Sequence, residues 1–359
     1  MRFTLYPIYW LADAVTGDEQ FDLTQLPFRV IDGVTIETVA GRFREGTFDI
    51  HRESLGTKVI EKLEGVRHAL VHRYDSQFTV EAGEFIAEHE HERRSNELVS
   101  QLAACLRLIR PMRQDALTIR GVIHEEDGSF DVTSFEIPPL HLIEVPDVQH
   151  LYQLRNQDCD DLKRYAAEFL RAMRGEYWKF RMAVQFHDLG HFQCLDWKAR
   201  FLLWCSAIES IYTSHNREHQ GSLVATSRIK WFLGETTPIY APSDMPDWVR
   251  RPQFTVGQLV GDLYDMRNFE AHGDKIPDEL FHEALRDGVN GPVKRPEVLS
   301  EVASFIIRTS LLKILRDGLL DHFADAGPAE AYFAAQNLTK SALRAARRAA
   351  QLPARPGAP

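Results

Sequence analysis

The sequence has no apolar run long enough to cross a membrane, and its opening residues lack a signal peptide's apolar stretch and cleavage site. Its four cysteines are scattered, without the paired spacing of a metal site: Cys105, Cys159, Cys194 and Cys205. Such cysteines are typical of reduced, packed thiols. We therefore expect a cytoplasmic protein without a membrane partner.

Several familiar catalytic motifs are also missing. The chain has no phosphate-binding P-loop, no Gly-x-Ser-x-Gly and no Cys-x-x-Cys, and it contains no internal repeat or low-complexity run. ATP hydrolysis, serine-hydrolase chemistry and structural zinc therefore have no support. We expect no cofactor and no bound metal.

The charge balance is acidic, with a net charge of −10 at pH 7. This disfavours broad, sequence-independent binding to nucleic acid, although it leaves room for a local basic cleft. Residues 331–359 are the exception, because they carry five basic residues and no acidic one, which leaves −15 for the rest of the chain. A solvated, alanine-rich terminal helix is the favoured interpretation, and contact with RNA or an acidic partner is the alternative.

The 359 residues, 44% of them hydrophobic, are enough for two domains. Residues 1–146 predict an α+β domain, for which a sensing or targeting role is our hypothesis. Its strands are expected at Arg2 to Leu11, Val30 to Ala40, Arg67 to Tyr74, Gln77 to Phe85, Leu117 to Ile123 and Ser129 to Ile137, with a helix from Glu92 to Ile109. Turn signals at Asp32-Gly33 and Asp127-Gly128 separate strands in this part.

Closely spaced prolines between residues 137 and 146 predict the domain boundary. Residues 147–325 then predict an all-α, up-and-down helical bundle, and residues 326–359 a basic, alanine-rich tail. The helical stretches are Asp161 to Phe186, Asp196 to Tyr212, Ser222 to Leu233, the helix that ends at His272, and Val298 to Phe323.

The stretch from Asp262 to Gly273 predicts the last turns of a helix with chemistry at its end. Thr255 and Gln258 have capping-box spacing at the start of that helix, and Gly273 suits the position after its last residue. Arg267 falls on the edge of the apolar stripe, so its guanidinium must be paired with an acid or held ready for an anion.

Arg-Asn, three further residues and His-Gly at a helix end resemble the signature of the HEPN superfamily. Leu-Tyr-Asp-Met-Arg-Asn ahead of His-Gly is similar to the Apea-like HEPN branch in particular. Ala207-Ile208-Glu209-Ser210-Ile211 and Arg228-Ile229-Lys230-Trp231-Phe232-Leu233 add to the resemblance, which covers residues 150–325.

The resemblance implies a homodimeric endoribonuclease that cleaves RNA without a metal, in a defence or toxin-like role such as antiviral defence. Arg267 would then steady the charge of the phosphate, His272 would carry the proton, and Asn268 would orient one of them. A regulatory protein partner is compatible with this assignment. A catalytically silent module that binds RNA or protein is the alternative, because some members of the family only bind or act as scaffolds.

Three further residues would support this site: Glu209, Glu270 and Tyr264. Glu209 lies beside the apolar stripe of its helix, so its carboxylate needs a cation, for which Arg267 is a candidate. Such a pair would either hold the guanidinium for catalysis or merely satisfy a charge. The structural alternative for the whole site is an arginine that only pairs within the bundle.

Two histidine clusters invite a metal interpretation. His187-Asp188 followed by Gly190-His191 resembles the metal-binding pattern of HD-type phosphohydrolases, for which His150 and Asp244 or Asp247 would have to complete the set. A turn between two helices at Asp188-Leu189-Gly190 is the simpler interpretation. The run His89-Glu90-His91-Glu92 most simply predicts a solvated loop.

Overall fold

The computed structural model describes residues 1–8, 22–75, 82–110, 117–136, 154–192, 196–214, 222–239, 254–285 and 292–351. The chain divides into two compact units, Met1–Arg171 and Ala172–Pro359. An antiparallel sheet with helices forms the first, and the second is mainly helical. The predicted order, α+β followed by helical, is confirmed at this level.

The N-terminal unit is built on a six-stranded sheet in the order β2-β3-β4-β1-β5-β6, in which all paired strands are antiparallel. Its strands are β1 (Arg2–Ile8), β2 (Phe28–Ile31), β3 (Val34–Thr38), β4 (His68–Tyr74), β5 (Thr118–Ile123) and β6 (Phe130–Glu136). Its helices are α1 (Arg52–Leu55), α2 (Thr57–Glu64), α3 (Ala82–Ile109) and most of α4 (Asn156–Arg174).

Strand β1 is buried on both faces because helices cover the two sides of the sheet. On one face, Phe3 and Leu5 join the core that contains Ile60 and Leu63 of α2. On the other, Tyr6 accepts a hydrogen bond from Arg107 of α3 at 3.0 Å. Alternate residues of one strand therefore serve two layers.

The hairpin predicted at Asp127-Gly128 is present and joins β5 to β6, and the turn predicted at Asp32-Gly33 is present and joins β2 to β3. The strand predicted at Gln77 to Phe85 is wrong from Ala82 onward, where α3 begins ten residues before the predicted Glu92. Glutamate and alanine, which favour helix, are frequent there. Residues 77–81 lie outside the described residues.

Helix α4 contacts the N-terminal unit, although its sequence was assigned to the helical domain. Arg110 Nε donates to Asp158 Oδ2 at 3.1 Å, and Asn156 Oδ1 accepts from the backbone N–H of Asp22 at 3.2 Å. The two compact units divide inside α4, at Arg171 and Ala172, whereas the boundary expected from the sequence is at residue 146. The proline-rich segment 137–146 lies outside the described residues.

The C-terminal unit contains seven helices in its described part: α5 (Trp178–Phe192), α6 (Trp197–Tyr212), α7 (Ser222–Leu233), α8 (Val256–His272), α9 (Glu297–Arg316), α10 (Ala326–Ala334) and α11 (Lys340–Gln351). Two small hairpins accompany them, β7 (Pro238–Ile239) with β8 (Phe254–Thr255), and β9 (His282–Leu285) with β10 (Pro292–Arg295). Helix α6 packs against α5, α7, α8 and α9 and so forms the centre of the unit. Among the described helices, none is long and apolar enough to span a bilayer.

The helix predicted from Asp161 to Phe186 is divided in the structure into α4 and α5, with the break at residues 175–177. Gly175 lies at this break, and glycine is a poor residue for a helix interior. In the segment predicted as a tail, α10 buries Ala329 and Phe333, and both α10 and α11 belong to the helical unit.

The cysteines Cys105, Cys159 and Cys205 are buried free thiols, as predicted. Burial raises the pKa of the Cys159 thiol to about 12. Cys194 lies outside the described residues.

Candidate functional site

Helix α8 carries the candidate site, and its local sequence explains both of its ends. The Thr255 side chain accepts from the backbone N–H of Gln258, and the Gln258 side chain accepts from the backbone N–H of Thr255. At the other end Gly273 adopts a left-handed conformation, with φ of 74°, which glycine tolerates without strain. The predicted capping box and helix end are confirmed.

Arg267 forms an ion pair with Glu209, with 3.0 Å between Nη2 and Oε1. The pairing joins α8 to α6 and was a candidate contact in the sequence. Both side chains are about one third exposed, at 31% and 32%. The guanidinium is therefore held by a carboxylate on one side while part of it faces solvent.

Beneath this ion pair lies a buried, uncharged layer that includes Cys205 and Tyr264. Burial, reinforced by the negative charge of Glu209, raises the pKa of both groups well above their ordinary values. Tyr264 is 4% exposed, and its hydroxyl has no hydrogen-bond partner among the described residues. A neutral layer of low polarity strengthens electrostatic interactions at the ion pair above it.

Asn268 and Glu270 have different surroundings. Asn268 Oδ1 accepts a long hydrogen bond of 3.4 Å from Arg267 Nη1, so the amide lies beside the guanidinium. Glu270 forms an ion pair with Lys198, with 2.9 Å between Oε1 and Nζ. The geometry of this pair does not meet that of a hydrogen bond. Glu270 thus connects the end of α8 to the first turn of α6.

His272 is exposed in the last turn of α8. Five residues of helix separate its direction from that of Arg267 by about 140°. Within the described chain, no hydrogen bond or ion pair joins the two side chains. The two side chains therefore leave the helix in different directions.

The cluster around His187 differs from the sequence interpretation. Residues 188–190 do not form a turn, because α5 continues through them to Phe192. A glycine is needed at position 190 because of close packing. A Cβ atom there would lie 2.4 Å from Nε1 of the Trp204 indole. The predicted turn is wrong because the glycine provides space for a neighbouring helix.

His187 itself is fully buried. Its Nε2 lies 3.1 Å from Ser304 Oγ and 3.2 Å from His191 Nε2, and its backbone carbonyl accepts from Trp204. These contacts are those of a packed core histidine. His150, Asp244 and Asp247, which the metal interpretation would require, lie outside the described residues.

The acidic run near residue 90 lies on α3, so the predicted loop is wrong. Glu90 accepts hydrogen bonds from Arg93 and Arg94, which lower the pKa of its carboxyl to about 2. Glu92 pairs with Arg2 of β1. The side chain of His89 lies outside the description.

A buried polar network in the helical unit had not been predicted. Arg228 is 1% exposed and donates to both carboxylate oxygens of Glu330, at 2.7 and 2.8 Å. Nearby Lys179 donates to the backbone carbonyl of Thr213, and burial lowers the pKa of its ammonium to about 8. Helical spacing from Val224 and Ala225 already placed Arg228 on an apolar stripe, which was the available signal.

No group of three or more potential metal ligands occurs among the described residues. Comparison of the chain with protein-family models, curated proteins and solved structures found no match.

Proposed function

We propose that the helical unit is an endoribonuclease of HEPN type that acts as a homodimer and cleaves RNA without a metal. The observation that carries the proposal is the placement of Arg267, held by Glu209 and partly exposed at the end of α8. Asn268 lies beside it, and His272 is exposed one turn later. The resemblance of this stretch to the HEPN signature gives the arrangement its chemical interpretation.

Arg267 is the phosphate-binding residue in this proposal. A guanidinium has five N–H donors, of which the contacts with Glu209 and Asn268 occupy only some. The remaining donors suit a phosphodiester, whose oxygens accept pairs of hydrogen bonds from arginine. Negative charge that develops on the phosphate during the reaction would be stabilised by the same group.

In the proposed cleavage reaction, the imidazole of His272 alone can accept and return the proton that is transferred. The ribose 2′-hydroxyl gives its proton to a neutral imidazole of His272, and its oxygen attacks phosphorus. The bond from phosphorus to the 5′-oxygen breaks, and that oxygen receives a proton from the imidazolium. The products are a 2′,3′-cyclic phosphate and a free 5′-hydroxyl.

A homodimer would solve the orientation problem at the end of α8. Because Arg267 and His272 leave the helix about 140° apart, they do not share one narrow face, and the length of the arginine and the terminal position of the histidine must bring both to one phosphate. A second helix end across a shared cleft would provide an arginine and a histidine from two directions. The role in defence or as a toxin rests on the resemblance alone.

A catalytically silent RNA-binding or protein-binding module is the second candidate. The observation that favours it is the same ion pair, since Glu209 already neutralises the Arg267 guanidinium. In this alternative the helix end is a structural joint, and His272 is dispensable.

Cleavage of a labelled RNA in excess EDTA tests the proposal. The parent chain should cut RNA and leave cyclic-phosphate ends, and it should leave the same sequence intact when every 2′-hydroxyl is methylated. Loss of all cleavage in EDTA would overturn the metal-independent mechanism. Cleavage of the methylated strand would exclude attack by the 2′-oxygen.

A further inference from the structure

Helix α11 carries its basic residues on one face. Lys340, Arg344, Arg347 and Arg348 are spaced at three and four residues, which places them within an arc of about 100°. We call these four residues the basic stripe. It extends for about 12 Å along the helix at 1.5 Å per residue.

The three arginines of the stripe are exposed and have no acidic partner in the described part of the chain. Residues 331–359 contain no aspartate or glutamate. The acid that precedes them in sequence, Glu330, is bound to Arg228. Some other exposed arginines have a local acid, as Arg93 and Arg94 have Glu90. Positive charge on α11 is thus available to an external anion.

The stripe has a defined position in the helical unit. Thr339 caps α11 through its hydroxyl, which accepts from the backbone N–H of Ala342 at 3.3 Å. The preceding Leu338 is buried, and its carbonyl accepts from Arg228 Nε at 3.1 Å. Helix α11 also packs against α7, which in turn packs against α8.

The opposite face of α11 identifies the class of partner. It carries alanines, and the one large apolar residue of α11, Leu343, flanks the stripe and is partly buried. A helix that inserts into a membrane surface needs a face of large apolar side chains, which α11 lacks. Repeated guanidinium groups instead suit repeated phosphates, which arginine binds with paired hydrogen bonds.

We propose that the basic stripe binds the phosphodiester backbone of single-stranded RNA, outside the cleavage site at the end of α8. The choice of RNA rests on the proposed function, whereas the anion-binding role rests on the stripe itself. Residues 1–330 have a net charge of −15, so a polyanion is attracted to the stripe and repelled by the net charge of that larger part. Trp231 of α7, 41% exposed, offers a base a stacking surface in the same unit.

The test measures binding by fluorescence anisotropy, with the full chain and a labelled 2′-O-methyl RNA of about 16 nucleotides, long enough for a typical single-strand site. This probe cannot be cut through 2′-oxygen attack, so binding is measured whether or not the protein is a nuclease. The test variant is R344A/R347A/R348A, which keeps good helix formers in α11. The matched control is R29A/R93A/R94A, which removes the same charge from exposed arginines of the N-terminal unit.

The proposal predicts that the test variant binds roughly tenfold to a hundredfold more weakly at about 0.1 M salt, while the control stays close to the parent. For the test variant, the slope of log affinity against log salt concentration should be smaller in magnitude by about two. Each lost phosphate contact reduces this slope by about 0.7. Circular dichroism would check that both variants keep the helices.

Equal binding by the test variant and the parent would overturn the proposal, and so would absence of binding by the parent. Tighter binding to vesicles of anionic lipid, or to a glutamate-rich peptide, than to the RNA would assign the stripe to a different partner. Binding that depends on the stripe in a chain that fails to cut ordinary RNA would support the stripe and refute the nuclease.

Discussion

The Arg267 guanidinium contacts the carboxylate of Glu209 on one side and is partly exposed to solvent on the other. An ion pair with partners about one third exposed contributes on the order of 1 kcal/mol or less, because solvent screens it. A phosphate that accepts two hydrogen bonds from arginine can compete with an interaction of this size. Glu209 can therefore orient the guanidinium without withholding it from a ligand.

Replacement of Glu209 by glutamine tests this orienting role. We expect E209Q to cleave RNA about tenfold or more slowly in single-turnover assays, because the guanidinium loses its fixed direction. Its free energy of unfolding in urea should change by less than about 1 kcal/mol, since the pair is screened.

D317N is the matched control for that experiment, because Asp317 is a carboxylate of the same exposure that pairs with Lys313 and Arg316 on α9. Its cleavage rate should stay at the parent value. Faster cleavage by E209Q would show that Glu209 blocks the site.

Lys179 gives a pH dependence whose sign follows from its burial. The pKa of its ammonium is lowered from 10.5 to about 8 in the folded chain, so the unfolded chain binds this proton more tightly. The contribution of Lys179 to stability therefore rises with pH between about 8 and 10.5 and is constant below that range.

We expect K179M to lack this rise. Between pH 7 and 10.5 the free energy of unfolding of the parent should increase relative to K179M by on the order of 3 kcal/mol. Urea titrations of both proteins at several pH values measure the difference. A constant difference across the range would mean that Lys179 has an ordinary pKa.

At the scale of the helices, replacing two glycines by alanine tests two different effects, close packing between helices at one position and helix propensity at the other. A Cβ at Gly190 of α5 would meet Trp204, whereas one at Gly261 of α8 would meet nothing within 4 Å. We expect G190A to destabilise the protein by about 1–3 kcal/mol, because the indole must shift. G261A should stabilise it by about 0.5–1 kcal/mol, because alanine favours the helix. Urea unfolding of the two variants gives the comparison, and equal effects would contradict it.

The elements that could be predicted are those fixed by neighbours in sequence. Helix α8 has its capping signals at Thr255, Gln258 and Gly273, and all three have the predicted conformation or contact. The hairpin at Asp127-Gly128 likewise depends on a turn that two residues determine. Local rules suffice where the cause is local.

The predictions that failed depend on distant residues or on competing local preferences. Gly190 suggested a turn, but its small size serves Trp204 on the next helix. The stretch from Gln77 to Phe85 suggested a strand, yet from Ala82 onward it belongs to α3. Periodicity cannot distinguish a glycine that breaks a helix from one that admits a neighbour.

At the scale of the whole molecule, the site's two helices come from distant parts of the sequence. Glu209 and Arg267 are 58 residues apart, so the sequence could offer their pairing only as a candidate, and the fold supplies the contact. Both belong to the helical unit. How α4 divides between the units depends on contacts such as Arg110 with Asp158, which no local pattern signals.

The proposed homodimer predicts that activity depends on protein concentration. Cleavage per subunit should fall when dilution moves the protein from dimer to monomer in sedimentation analysis, because two ends of α8 would complete one site. Equal activity per subunit in a proven monomer would contradict the shared cleft.

The central claim is that Arg267 and His272 perform the cleavage. The most direct measurement is single-turnover RNA cleavage in EDTA by R267A and H272A. The matched controls are R316A and H322A, which alter exposed side chains elsewhere in the same unit. We predict losses of about a hundredfold or more for the first two and near-parent rates for the controls. Parent-like cleavage by a folded H272A protein would contradict the account.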